Sequence, residues 1–124
     1  MRTLHDHEIN DFNSEHVKVF VADKADHEKG GGAHHHYIVG TDDGRAEEAH
    51  IHFQHGPVLE HGVNGITNEA LIAVVLDRLR AFQRGPFASR ENAVTVTKLE
   101  EALMWQHKRT LDRMRRGVEG RHEA

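Results

Sequence analysis

A chain of 124 residues with 37% hydrophobic and 29% charged residues is long enough for one domain with a modest core, and its lack of cysteine excludes a disulfide framework or a thiolate metal site. The net charge of -4 is unevenly spread: residues 1–66 carry 12 acidic against 5 basic side chains, and residues 67–124 carry 8 against 11. The acidic first half argues against duplex nucleic acid, no apolar run approaches the ~20 residues of a membrane span, and the charged first residues read as no secretion signal, so a reducing cytosol is the expected location.

In chain order, residues 1–13 read as irregular. His16 to Val21 alternates like a half-buried strand, with Val17, Val19 and Val21 on one face. Lys24 to Ala33, with Gly30-Gly31-Gly32 among charges, is expected to be a mobile loop. His36 to Val39 is a second strand, and Gly40 to Gly44 has turn composition. Glu48 to Gln54 is a third strand that puts His50 and His52 on one face and Ile51 and Phe53 on the other. Gly56-Pro57 closes it, and Gly62-Val63-Asn64-Gly65 is a tight turn.

The period changes at Thr67. Leu71, Ile72, Val75, Leu76, Leu79 and Phe82 recur at spacings of three and four behind a cap at Thr67 or Asn68, which predicts an amphipathic helix stopped by Gly85-Pro86. A second helix is predicted from Ser89 to about Arg116, with Gly117 in the C′ position and Ala93, Val96, Leu99, Ala102, Leu103 and Thr110 as its stripe. The short connection makes an antiparallel hairpin. The expected fold is α+β: one domain over residues 1–124, with a small antiparallel sheet in 1–66, a two-helix hairpin in 67–118 and a tail in 119–124. The long second helix, with Trp105 on its far part, is expected to oligomerise with a second copy.

Several stretches carry a resemblance. They are Phe53-Gln54-His55-Gly56-Pro57, Gly62 to Glu69, Phe82 to Ala93, Thr97 to Trp105, Lys108-Arg109-Thr110 and Arg113 to Gly120. In this order and spacing they resemble the phage-encoded Thoeris anti-defence sponges over about residues 51–120, and the hairpin is similar to that of phage anti-CBASS sponges. The resemblance implies a non-enzymatic protein of the infected bacterial cytoplasm, needing no cofactor. It would bind a glycocyclic ADP-ribose signal between protomers of a dimer or hexamer and hold it intact, with cyclic di- or trinucleotides as further ligands. It implies Phe82 as a stacking face, Asn92 as a polar contact, and Arg109 and Arg115 as phosphate contacts.

The residues themselves suit such a ligand, since arginine offers paired donors to phosphate. Arg109, Arg113 and Arg116 fall at i, i+4 and i+7, with Arg115 offset by roughly 100° from Arg116. Arg90 and Asn92 lie in the first turn of the second helix, where backbone amides also meet anions. The competing readings are core packing for Phe82, capping for Asn92, and a solvated helix end for the arginines. Thirteen histidines suggest a second chemistry. His50, His52 and His55, with Glu48 or Glu60, could ligate zinc or a similar ion, against the plainer readings of adventitious binding and ordinary polar surface. A metal-dependent phosphodiesterase or nuclease on that face, or a purely structural oligomerisation module, are the alternatives to a sponge.

Overall fold

A computed structural model describes residues 2–117, which fall into two compact units divided after Ile66. The first unit is a four-stranded antiparallel sheet in the order β1-β2-β3-β4, with β1 at Arg2–Leu4, β2 at Val17–Val21, β3 at His36–Thr41 and β4 at Ala49–His52. The register sets Val19 opposite Val39, Val21 opposite Tyr37, and Tyr37 opposite Ile51. One face therefore carries the valines of β2 with Tyr37, Val39 and Ile51, and Val21 on it is fully buried. The other face carries Lys18, Phe20, His36, Ile38, His50 and His52.

Two expectations need correction here. Arg2–Leu4, read as irregular, forms β1 and pairs with Val19–Val21 of β2. Three residues are too few for a period to register, and the strand exists because β2 offers an edge to it. β4 ends at His52 rather than Gln54: the Phe53 N–H still donates to the His35 carbonyl at 2.8 Å, but the His35 N–H is taken by the Asp23 carboxylate, and Phe53 makes an isolated parallel bridge to Ile66.

The segment from Gln54 to Ile66 is closed by side-chain amides. The Gln54 amide donates to the Gly56 and Gly62 carbonyls at 3.1 and 2.8 Å and accepts from the Asn64 backbone N–H at 3.0 Å. Asn64 accepts from the His55 N–H and donates to the His55 carbonyl, both at 2.8 Å. This double clasp encloses a one-turn helix, α1, at Val58–His61. It satisfies backbone groups that a loop would otherwise leave to water. The motif residues Gln54, Asn64 and Gly65 thus have a structural role.

Lys24 to Ala33 is a loop, as expected, folded around Asp26. That carboxylate accepts from the Glu28 and Lys29 N–H groups, and the Asp26 carbonyl accepts from Gly32.

The second unit is a hairpin of α2 at Asn68–Gln83 and α3 at Arg90–Arg115. Thr67 caps α2 by accepting from the Ala70 N–H, and Ser89 caps α3 by accepting from the Asn92 N–H. Gly117, at φ 70°, follows the last turn. Leu76 is the hairpin's fully buried large side chain among the described residues. Leu71, Ile72, Leu79, Val96, Leu99 and Leu103 are half-buried, whereas Val75 and Ala93, expected in the stripes, are exposed. Arg80 and Glu100 tie the two helices at 2.8 Å.

At 26 residues, α3 outruns the 16-residue α2, an excess of ~15 Å at 1.5 Å per residue. Met104 and Trp105 (68% and 69% exposed), with Leu111 and Met114 beyond them, lie open on its distal half. A fully buried Leu or Val contributes about 1.5–3 kcal/mol. With only Val21 and Leu76 in that state among the described residues, each unit draws little from its interior.

Candidate functional site

The hairpin's loop end holds the first group of expected site residues. The Gln83 amide donates to the Ser89 carbonyl at 3.0 Å and accepts from the Ser89 N–H at 2.9 Å, which fixes the 84–89 connection. Phe82, half-buried, has the Arg78 guanidinium 4.9 Å from its ring centroid, and the Phe87 ring stands at 74° to it with centroids 6.4 Å apart. One face of Phe82 is therefore already occupied by a cation. Asn92 gives its backbone N–H to the Ser89 cap, while its side-chain amide has no partner among the described residues. Arg90 opens α3 and is exposed.

The arginine end is elsewhere. Asn92 and Arg109 are separated by ~26 Å along α3, and Asn92 and Arg115 by ~35 Å. No small molecule can touch both groups in one chain.

The arginines themselves divide. Arg109, Arg115 and Arg116 are exposed, but Arg113 is only 8% exposed and is the least available of the four. Met104, His107, Lys108, Leu111, Asp112 and Arg115 line a shallow groove of ≈410 Å³ along α3. Their spacing of three, four and seven puts them on one helix face. Met104 and Leu111 are its apolar part, and Lys108 and Arg115 lie together on one side of them, between the apolar pair and Asp112. Asp112 already sits among those cations, 2.6 Å from Lys108 and 3.6 Å from Arg115. The bond from Lys108, with the charges of Lys108, Arg115 and Arg116, holds the Asp112 carboxyl below its usual range despite partial desolvation. Lys108 and Met104 were not among the expected site residues. The i, i+4, i+7 spacing was the available signal, but only Arg115 of the expected set lies on this face.

The histidines sort differently from expectation. His50 and His52 do share a face, but their companion is His36 across the sheet: His36 Nε2 lies 2.9 Å from His50 Nδ1, and the His36 and His52 rings stack at 4.1 Å. His55 is not with them; it donates to Asp26 at 2.8 Å and stacks on His35. His55 leaves the sheet because β4 has ended. Burial lowers the pKa of His36, and the neighbouring His52 and His50 lower it further, with only Asp23 opposing.

The bond from His55, with the Lys29 and Glu28 amides, lowers the Asp26 pKa to about 2. A carboxylate whose folded pKa is depressed adds stability that is present above its unfolded value and is lost as pH falls through the folded value. Thermal melts of the protein are therefore expected to drop between about pH 4 and pH 2, and Asp26→Asn should flatten that part of the curve. An unchanged acid limb in the variant would mean that Asp26 does not carry it.

The described residues thus define a class: a small α+β protein whose helical hairpin presents an amphiphilic, cationic groove on the longer helix. The chain belongs to the Acb2/Tad1 hairpin domain family, whose pattern matches residues 45–111, more than half of the sequence. It is also 61% identical over 75 residues to a Bacillus phage SBSphiJ7 protein named Thoeris anti-defense 1, a match covering 60% of this chain and 53% of that relative. The chain spans about half the length of the curated relative it matches. Among the described residues, no helix is long and apolar enough to cross a membrane.

Proposed function

We propose that this protein is a phage anti-defence sponge that binds a glycocyclic ADP-ribose-type immune signal in the host cytoplasm and holds it without cleaving it. Family membership and the Thoeris anti-defence relative support this reading. The observation that carries it is the α3 groove, where Lys108 and Arg115 lie side by side along one edge of the apolar pair Met104 and Leu111. A cyclic ADP-ribose offers matching parts, a pyrophosphate for the cations and a purine face for the apolar pair. Cyclic di- and trinucleotides, with phosphodiester anions in place of the pyrophosphate and purine faces of the same kind, are a second ligand class in this reading.

Sequestration needs no general base or nucleophile. It needs a dissociation constant well below the signal concentration, and a nanomolar one requires about 12 kcal/mol. A groove on one helix face leaves a ligand half in water, and such affinity calls for an enclosed, pre-organised site. A second copy supplies the other half in this reading, covering Trp105, Leu111 and Met114, so the working form is an even assembly, a dimer or hexamer.

The test incubates the protein with glycocyclic ADP-ribose, separates free nucleotide by filtration, then heats the protein fraction and chromatographs what is released. The expected result is loss of free signal and its return unchanged on heating. Appearance of converted product, suppressed by chelator, would replace the sponge with a metal-dependent phosphodiesterase. Signal and cyclic oligonucleotides that both stay free would leave a structural role.

A further inference from the structure

The face of the sheet that carries His36, His50 and His52 has a feature that nucleotide sequestration does not use. From the geometry we infer that His36, His50 and His52 form a binding site for a borderline divalent transition-metal ion, with Zn²⁺ as the reference case. One ligand atom from each of the three imidazoles can be chosen so that all lie within 4.8 Å of one another. The backbone builds this set: β4 puts His50 and His52 on one face at i and i+2, and the β3–β4 register sets His36 directly opposite His52.

The spacing suits the ion. Zinc–imidazole bonds of about 2.05 Å at tetrahedral angles put ligand nitrogens about 3.3 Å apart. The 2.9 Å between His36 Nε2 and His50 Nδ1 and the 4.8 Å limit bracket that value, so small ring rotations admit the ion. Three neutral imidazoles with a fourth position left to water are a common zinc arrangement. With His50 Nδ1 turned to the cluster, the Glu48 carboxylate lies 4.0 Å from its Nε2 and adds negative charge beside the site.

A contrast with the other histidines separates this cluster from ordinary polar surface. His5, His16 and His55 each have a carboxylate within hydrogen-bond distance, and His7 and His34 each reach a backbone carbonyl. Among the described residues, the His36 and His50 rings hydrogen-bond only each other and His52 only stacks on them; His35 also lacks a ring hydrogen bond, but it stacks on the Asp26-bound His55 and belongs to no such trio. Three imidazoles packed together offer ring-nitrogen lone pairs that one shared cation can take up. His50 and His52 are exposed and His36 is half-buried, so the cluster is open to an entering ion.

The experiment titrates the metal-free full chain with Zn²⁺ against a competing chelator, with no nucleotide present, so that its outcome is independent of the sponge reading. One Zn²⁺ per chain is expected. His36→Gln or His50→Gln should weaken it by ~100-fold or more, since even outer-shell losses cost 10–100-fold. The double variant His5→Gln/His16→Gln should bind as the parent does. Circular dichroism reports whether each variant is folded. In the unmodified protein, Zn²⁺ should move the imidazole NMR signals of His36, His50 and His52 and leave those of His5, His16 and His55 in place. Substoichiometric binding, equal affinity in folded His36→Gln, or signals moving at the other histidines instead would overturn the assignment.

Discussion

Lys108→Ala combined with Arg115→Ala is expected to lower the affinity for a glycocyclic ADP-ribose signal by about 100-fold or more, because each hydrogen bond to a charged group contributes about 1.5–3 kcal/mol. The fold should not change. Both side chains are exposed and their pairs with Asp112 are surface pairs, which contribute about 0–1 kcal/mol. Removing both also leaves Asp112 uncompensated in the groove, where it repels a phosphate. Calorimetric titration with the signal gives the affinity, and far-ultraviolet circular dichroism gives the helix content. Retention of parental affinity in this variant would take the groove out of the binding site.

The same experiment can locate the rest of the pocket. The loop-end residues Phe82 and Asn92 and the arginine end cannot meet in one chain, given the ~26–35 Å between them along α3. If the pocket joins the loop end of one copy to the distal α3 of another, Asn92→Ala and Lys108→Ala/Arg115→Ala damage opposite halves. A two-fold dimer mixed from the two variants then has one doubly damaged pocket and one intact. Random exchange in equal mixture should restore about one quarter of the parental capacity, from half the dimers with one good site each. Capacity that stays at zero after exchange would show that the two ends do not share a pocket.

Gly65→Ala is expected to destabilise the protein by about 3 kcal/mol, the upper part of the range for overpacking. A Cβ at Gly65 would lie 2.3 Å from the Phe53 carbonyl carbon, 2.5 Å from its oxygen and 2.6 Å from the Gln54 nitrogen. All three are backbone atoms, and they are held by the bonds from Gln54 N–H to the Ile66 carbonyl and from Ile66 N–H to the His52 carbonyl. Relief therefore means opening the Phe53–Ile66 bridge and the Asn64–Gln54 clasp with it. Gly44→Ala is the internal reference: its φ is +73° but its Cβ meets nothing within 4 Å, so only backbone strain of about 1–2 kcal/mol applies. Urea unfolding of the two variants side by side would settle the matter. Equal costs would mean that no close approach exists at Gly65.

Features whose cause is local were legible in the sequence. Ser89, and Thr67 alongside Asn68, read as caps because capping needs only a side-chain oxygen and an amide two or three residues on; the bonds form at Thr67 and Ser89. Gly85-Pro86 read as a stop, and the β2 valines as one face, for the same reason. Features set by pairing across the chain were not legible. β1 needs the β2 edge, and the companion of His50 and His52 is fixed by the β3–β4 register, which brings in His36 and leaves out His55. The Gln54–Asn64 and Gln83–Ser89 clasps look like ordinary polar residues until the backbone turns them toward each other. On α3, residue type alone singled out arginines. Helix rotation then buries Arg113, while Lys108 and Met104 join Arg115 on the groove.

The near absence of buried large side chains bears on how this sequence can change. Val21 and Leu76 are the large side chains that are fully buried among the described residues, so few substitutions can open a cavity. Intolerance should instead concentrate at corners: glycines such as Gly65, the amide clasps and the helix caps. The outward faces of the sheet and of α3 are then free to diversify residue by residue. Such a scaffold can follow a changing ligand quickly, since altering its binding surface seldom disturbs the elements that hold it folded.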